Sequence, residues 1–263
     1  MGEASRRVKK RVENIGEAIQ TSQLPDSRRL CKSVGNLKET QNFERGYMIA
    51  YILKNDISNI SLKQYRNECQ FVTLRIFDSS KYPDVVTNLF EYRWKPIIVK
   101  EVLQEVEKVF WVDSSVIFND DNACETITEI VQKMDTKFFK CGIRAFIDTR
   151  HSILFATNPK MLQYFNVSEN FAKNNHMLGA TLFVISRKGS EIVQKWNNCA
   201  LEKECMAPKG SHLYCKCEEC RTKNIYGNCH RFDQSVLSIL TLQCSSNFND
   251  FLETSSLIDV QRM

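Results

Sequence analysis

The sequence predicts an α/β fold with a mostly parallel central sheet flanked by helices, and three observations carry that prediction. The run VFWV at 109–112 is apolar without alternation, as a strand buried on both faces requires. It follows PIIVKEVLQEVEK, where Ile98, Val99, Val102, Leu103 and Val106 share one broad helical face. The alternating run FVTLRIF at 71–77 precedes that helix. Strand, helix, strand is the order of a parallel sheet with crossover helices.

The other elements follow in order. Residues 1–45 are polar and basic and read as a weak helix around Val8, Val12, Ile15 and Ile19, then a linker. MIAYIL at 48–53 is rich in strand formers and is closed by the turn-like KNDISN. Pro96 suits a first helical turn. A second helix is expected over about 125–134, with Ile127, Ile130, Val131 and Met134 on one side. ATLFVIS at 180–186 reads as a strand, followed by a helix carrying Ile192, Val193, Trp196, Cys199 and Ala200 on one face. After a cysteine-rich loop at 199–229, Asp233 opens a last helix through Val236, Leu237 and Leu240.

Composition narrows the functional classes. Of 263 residues 43% are hydrophobic and 25% charged, with only 9 Gly and 5 Pro, so the chain is globular. The longest apolar run has six residues, 48–53, against the roughly 20 that a membrane helix needs. No secretory signal or anchor is read in the N-terminal stretch. The net charge of +5 is concentrated there: residues 1–45 hold ten Lys/Arg against six Asp/Glu, which leaves the rest nearly neutral and argues against nucleic acid as a partner. GxGxxG, P-loop and GxSxG motifs are absent, which disfavours kinases, dehydrogenases and α/β-hydrolases.

Three stretches carry candidate chemistry. Asp113 directly follows VFWV and so stands at a strand's carboxyl end, where ligands bind in open α/β sheets. YRWKP interleaves Arg93 and Lys95 with Tyr92 and Trp94 at a helix start, a place where backbone amides and a cation can hold phosphate. CHRFDQS gathers His230, Arg231, Asp233 and Gln234 before an apolar helix. Six of the eleven cysteines lie between Cys199 and Cys229. They fit either disulfides in an oxidising lumen or a zinc site built on Cys215, Cys217, Cys220 and Cys229. The sequons at Asn59 and Asn166 lean toward the first option.

Read together, YRWKPIIVKEVLQEVEKVFWVDSSVIF, MLGATLFVIS, EIVQKWNNCALEKECMAPKGS and NCHRFDQSVLSILTL resemble a nematode-expanded animal family of unknown function that looks like GT-A type nucleotide-sugar transferases. The resemblance runs from about Met48 to Cys244, and WKP, WVDSS and HRFDQS are its most specific pieces. It implies one Rossmann-like GT-A type domain over 46–263. In that domain Asp113 would meet a divalent Mn or Mg ion and the donor diphosphate, and His151 or His230 would complete the metal shell or act as a base. Lys95, with Trp94 and Arg93, would lie at the donor phosphates, and Asp233 and Gln234 would serve catalysis at the sugar or acceptor. Two departures stand out. Ser115 occupies the place of a second acid, and serine is a weaker ligand for a hard cation. MIAYIL is the only strand-like run before Phe71, so a front strand is expected to be lacking.

The resemblance further implies a nucleotide-sugar donor, a glycan or protein acceptor and a Golgi or secretory-pathway lumen. Glycosyl transfer is the leading expectation. The alternatives are a catalytically inactive relative and an intracellular zinc-binding module.

Overall fold

A computed structural model of the chain describes residues 48–53, 62–63, 66–67, 70, 72–113, 116–118, 140–217, 219–253 and 258–259. The leading segment 1–45 and the helix expected over 125–134 lie outside the described residues. The chain divides into two compact units. In the first, β1 (Met48–Leu53) and β2 (Val72–Phe77) pair in parallel, Met48 opposite Val72 and Leu53 opposite Phe77. The same unit contains a short antiparallel pair, Ile117–Phe118 with Ile258–Asp259.

The second unit carries the candidate site. Short 3₁₀ turns at Ser79–Lys81, Asp84–Thr87 and Leu89–Glu91 lead into α1 (Trp94–Glu105). The helix starts two residues before Pro96, which places the proline's missing N–H among the first-turn groups that have no intrahelical partner in any case. Ile97, Ile98, Val99 and Leu103 are buried along it. Val106 turns extended and β3 (Lys108–Val112) follows.

β3, β4 (Ile143–Ala145) and a later strand form a three-stranded sheet, while β5 (Asp148–Ser152) pairs antiparallel with β6 (His176–Leu178). The short helices α2 (Pro159–Tyr164) and α3 (Glu169–Asn174) lie between β5 and β6, each started by a side-chain cap, from Asn158 and Ser168. The sheet's middle strand is β7 (Leu182–Ser186), whose Leu182, Phe183, Val184 and Ile185 are fully buried. β7 runs antiparallel to both neighbours, with Val112 opposite Leu182 and Ile143 opposite Ile185.

The fold is thus mixed α/β, but the described strands of this sheet are not parallel as predicted. The strand-helix-strand pattern misleads because β2 pairs with β1 in the other unit. α1 therefore crosses over between no two strands of the three-stranded sheet.

α4 (Ser190–Leu201) packs against α1 and buries the face predicted for it, Ile192, Val193, Trp196, Cys199 and Ala200. α5 (Lys203–Met206) is joined to it by the Cys199–Cys205 disulfide. α6 (Phe232–Cys244) is buried along nearly its whole length, with Ser235, Ser238 and Thr241 buried among its apolar side chains. Ser238 of α6 accepts the Leu178 N–H at 3.0 Å, so a hydroxyl satisfies the backbone of β6 where the helix crosses it. Among the described residues no helix is long and apolar enough to cross a membrane.

Further disulfides join Cys141 to Cys244, Cys215 to Cys229 and Cys217 to Cys220. All four thiols of the expected zinc site are consumed in these pairs. The zinc-module alternative is therefore corrected, since metal binding needs free thiolates.

Candidate functional site

The site grows from the start of α1. Tyr92, at φ 54°, ends the Leu89–Glu91 turn in a left-handed conformation and redirects the chain into the helix. Lys95 then points inward and is only 2% exposed. Its Nζ lies 3.0 Å from Asp113 Oδ1, 3.2 Å from Asp113 Oδ2 and 3.2 Å from Asp233 Oδ2, and donates to the Ala180 carbonyl at 2.9 Å. The rings of Tyr92, Trp94 and Trp111 surround the same ammonium with centroids 5.6–5.9 Å away, within cation–π range.

Asp113 is set by the last pairing of the sheet, its N–H donating to Thr181 O at 2.8 Å. Trp111, two residues earlier on the strand, shares its face and donates Nε1–H to Asp113 Oδ1 at 2.6 Å. Asp233 comes from the first turn of α6, where the Trp196 indole donates to its carbonyl at 3.0 Å. Phe232, immediately before it, has φ 37°, a conformation costly for an aromatic residue and typical of functional positions. The cysteine-rich loop seats this helix start: Gly227 and Arg231 donate to Phe155 O and Ala156 O, and His230 donates to His212 O.

Exposure separates the three charged groups. The Asp113 side chain is 22% exposed, against 3% for Lys95 and 7% for Asp233. Burial works against the Lys95 charge, but Asp233 and Asp113 outweigh it and hold the ammonium above the ordinary lysine range. Asp233 is pushed up to about 6, first by burial and then by the charge of Asp113, with Lys95 pulling the other way. Its Oδ2, although close to the ammonium, receives no well-directed hydrogen bond. One ammonium thus serves two carboxylates. Burial, and next Asp233, also raise the Tyr92 phenol.

The other predicted residues separate into those near this cluster and those elsewhere. Trp94 borders it and donates Nε1–H to Leu89 O. Gln234 follows Asp233 and is half-buried, and its carboxamide has no partner among the described residues. Arg93, predicted at donor phosphate, is 1% exposed and donates instead to the carbonyls of Ala200, Glu202 and Lys203, clamping the end of α4. Its guanidinium is occupied by structure. His151 lies against the Phe155 ring with Nδ1 at 3.1 Å from Ser152 O, and burial lowers its pKa. Ser115 lies outside the described residues.

His230 is fully buried, accepting the Asn158 N–H at Nδ1 and donating from Nε2 to Met206 O. The predicted metal set Asp113, His151 and His230 is therefore not gathered, and among the described residues no three His, Cys, Asp or Glu side chains are grouped to hold a metal. The position between Asp113 and Asp233 already contains an ammonium, so these residues do not fit a Mn or Mg ion. Sequence reasoning named Tyr92 only as part of YRWKP and passed over Trp111. The spacing of Trp111 to Asp113, two residues on one strand, was the signal available for the latter.

Two buried groups set opposite pH dependences of stability. Burial depresses His230 to about 4, so its contribution is complete above about 6.5 and is lost as pH falls toward 4. Asp233 is raised, so its contribution is complete below about 3.9 and is lost as pH rises through about 6. For His230 this amounts to about 3 kcal/mol, since a tenfold change in proton affinity between the folded and unfolded chain corresponds to about 1.4 kcal/mol. Urea unfolding between pH 4 and 7 checks this. His230→Gln gains stability on acidification relative to the native chain, whereas Asp233→Asn loses it.

A family model described as "Protein of unknown function (DUF1647)" matches residues 14–100, a stretch that includes Lys95. No curated protein matches the sequence. Five chains of solved structures do match. One of them is mouse xyloside xylosyltransferase 1 in its apo form, with a TM-score of 0.48 and 10% sequence identity over 89% of this chain and 79% of that one.

Proposed function

We propose that the chain is a glycosyltransferase that moves a sugar from a nucleotide-sugar donor to a hydroxyl of a glycan or protein, with Asp113 at the reacting centre. One observation carries this reading. Side chains from three distant stretches meet at the Lys95 ammonium, and the carboxylate at the strand end is the one with a solvent-facing side. Lys95 and the Trp111 indole hold Asp113 in a single orientation, as a positioned base requires. In the reaction the acceptor oxygen bonds to the anomeric carbon while that carbon's bond to the diphosphate breaks. The acceptor proton passes to Asp113, and the nucleoside diphosphate leaves with the electron pair. Gln234, half-buried and with a carboxamide that has no partner among the described residues, is offered to the sugar, and Asp233 positions Lys95.

The reading brings with it a GT-A type domain over 46–263 preceded by a basic segment over 1–45. The disulfides support an oxidising lumen such as the Golgi or the wider secretory pathway. Asp113→Asn preserves shape at a partly exposed position and is expected to keep the fold while lowering turnover about a hundredfold or more. A panel of nucleotide sugars assayed for transfer, with unfolding curves in parallel, tests this. Undiminished turnover in the variant removes Asp113 from the reacting centre. The engagement of both carboxylates by one lysine favours a second reading, a sugar-binding relative without transfer. Calorimetry that detects donor binding where no turnover exists identifies it.

A further inference from the structure

Around Lys95 Nζ lie both oxygens of Asp113, Oδ2 of Asp233 and the carbonyl oxygen of Ala180, all at 2.9–3.2 Å. Such a shell of carboxylate and carbonyl oxygens is what a hard divalent cation seeks. Here an ammonium stands inside it, enclosed by three aromatic rings. Asp233 Oδ2, buried and without a directed hydrogen bond, faces that same point. An ion entering between the carboxylates would have to displace the ammonium or sit against it, and both are unfavourable in a buried site.

We propose that Lys95 is the resident cation of this site: it takes the place of a divalent metal between Asp113 and Asp233, so that ligands engage Asp113 without metal. The proposal deepens the transferase reading at its own centre. Its readout, cation binding, does not depend on turnover.

The geometry has three consequences for cation binding. The native chain does not bind Mn²⁺ through Asp113. Lys95→Ala empties the oxygen shell and creates a Mn²⁺ site. Lys95→Arg keeps a cation there and creates none.

Titration of each purified full-length chain with Mn²⁺, following the free-ion signal by electron paramagnetic resonance, decides the matter. The expected result is a Mn²⁺ affinity at least about tenfold higher in Lys95→Ala than in the native chain, with a matching rise in its melting temperature. That gain disappears when Asp113→Asn is added. Native Mn²⁺ binding that is abolished by Asp113→Asn overturns the proposal, and this arm stands even if Lys95→Ala fails to fold. A folded Lys95→Ala that ignores Mn²⁺ overturns it as well. Should every donor prove inert with and without Mn²⁺ while the cation results hold, transfer fails and the assignment of Lys95 survives.

Discussion

Lys95→Met lowers the unfolding free energy by about 3–5 kcal/mol, because it leaves two buried or half-buried carboxylates without their counter-charge. The methionine fills much of the lysine's volume, so the loss is electrostatic more than steric. Urea denaturation near pH 7 measures it. Adding Asp233→Asn to Lys95→Met recovers a large part of the loss, since the deeper carboxylate is then gone. Asp113→Asn recovers less, because water reaches its 22% exposed side chain. Acid treatment gives an independent check. Asp233 takes up its proton near pH 6 in the native chain, and in Lys95→Met it does so at a higher pH, because the favourable ammonium is missing. The destabilisation caused by the variant therefore shrinks as pH falls. A penalty below about 1 kcal/mol, the range of exposed ion pairs, means that the three groups are not coupled as described.

Much of this cluster was legible in the sequence, and the limits of legibility have physical causes. Asp113 was recognisable because an apolar run breaks at an acid, and Asp233 because it opens an apolar helix. Helices α1, α4 and α6 show in their apolar periodicity because each buries a wide face against the core. The direction of the sheet was hidden. A strand's sequence records which faces are buried, and β7, fully buried, reads alike in parallel and antiparallel company.

The fates of Arg93 and Lys95 were hidden for a related reason. Both are cations at a helix start, yet one finds carbonyls 107 to 110 residues downstream and the other finds two carboxylates. Only the folded chain brings those partners near. His230 is the same case, a titratable ring whose two nitrogens are taken by backbone groups. A phosphate-binding or metal-binding role read from residue type assumes a free side chain, and burial removes that freedom.

Removing the Cys141–Cys244 disulfide costs the second unit about 4–5 kcal/mol, more than any other cross-link described. Its cysteines are 103 residues apart, and closing a loop of about that size restricts the unfolded chain by about 4.7 kcal/mol in the chain-entropy account. By the same account the Cys217–Cys220 link, separated by 3 residues, is worth about 2 kcal/mol. The native contacts around the long link do not depend on the bond. Gly142, at φ 68°, brings its turn so close to Gly189 that a Cβ would lie 2.5 Å from the Gly189 nitrogen. Lys140 pairs with Asp250 at 2.7 Å, and Arg144 donates to the Asp250 carbonyl. The Cys141→Ser/Cys244→Ser chain should therefore keep its near-ultraviolet circular dichroism while its melting temperature falls by about 10–20 °C, at about 2–4 °C per kcal/mol for this size. The link closes the far end of α6, whose first turn carries Asp233, so ligand binding at Asp113 well below the new midpoint is unchanged. Calorimetry of the long-link and short-link variants side by side gives the ranking. An equal loss from both shows that loop entropy is not what the long disulfide contributes.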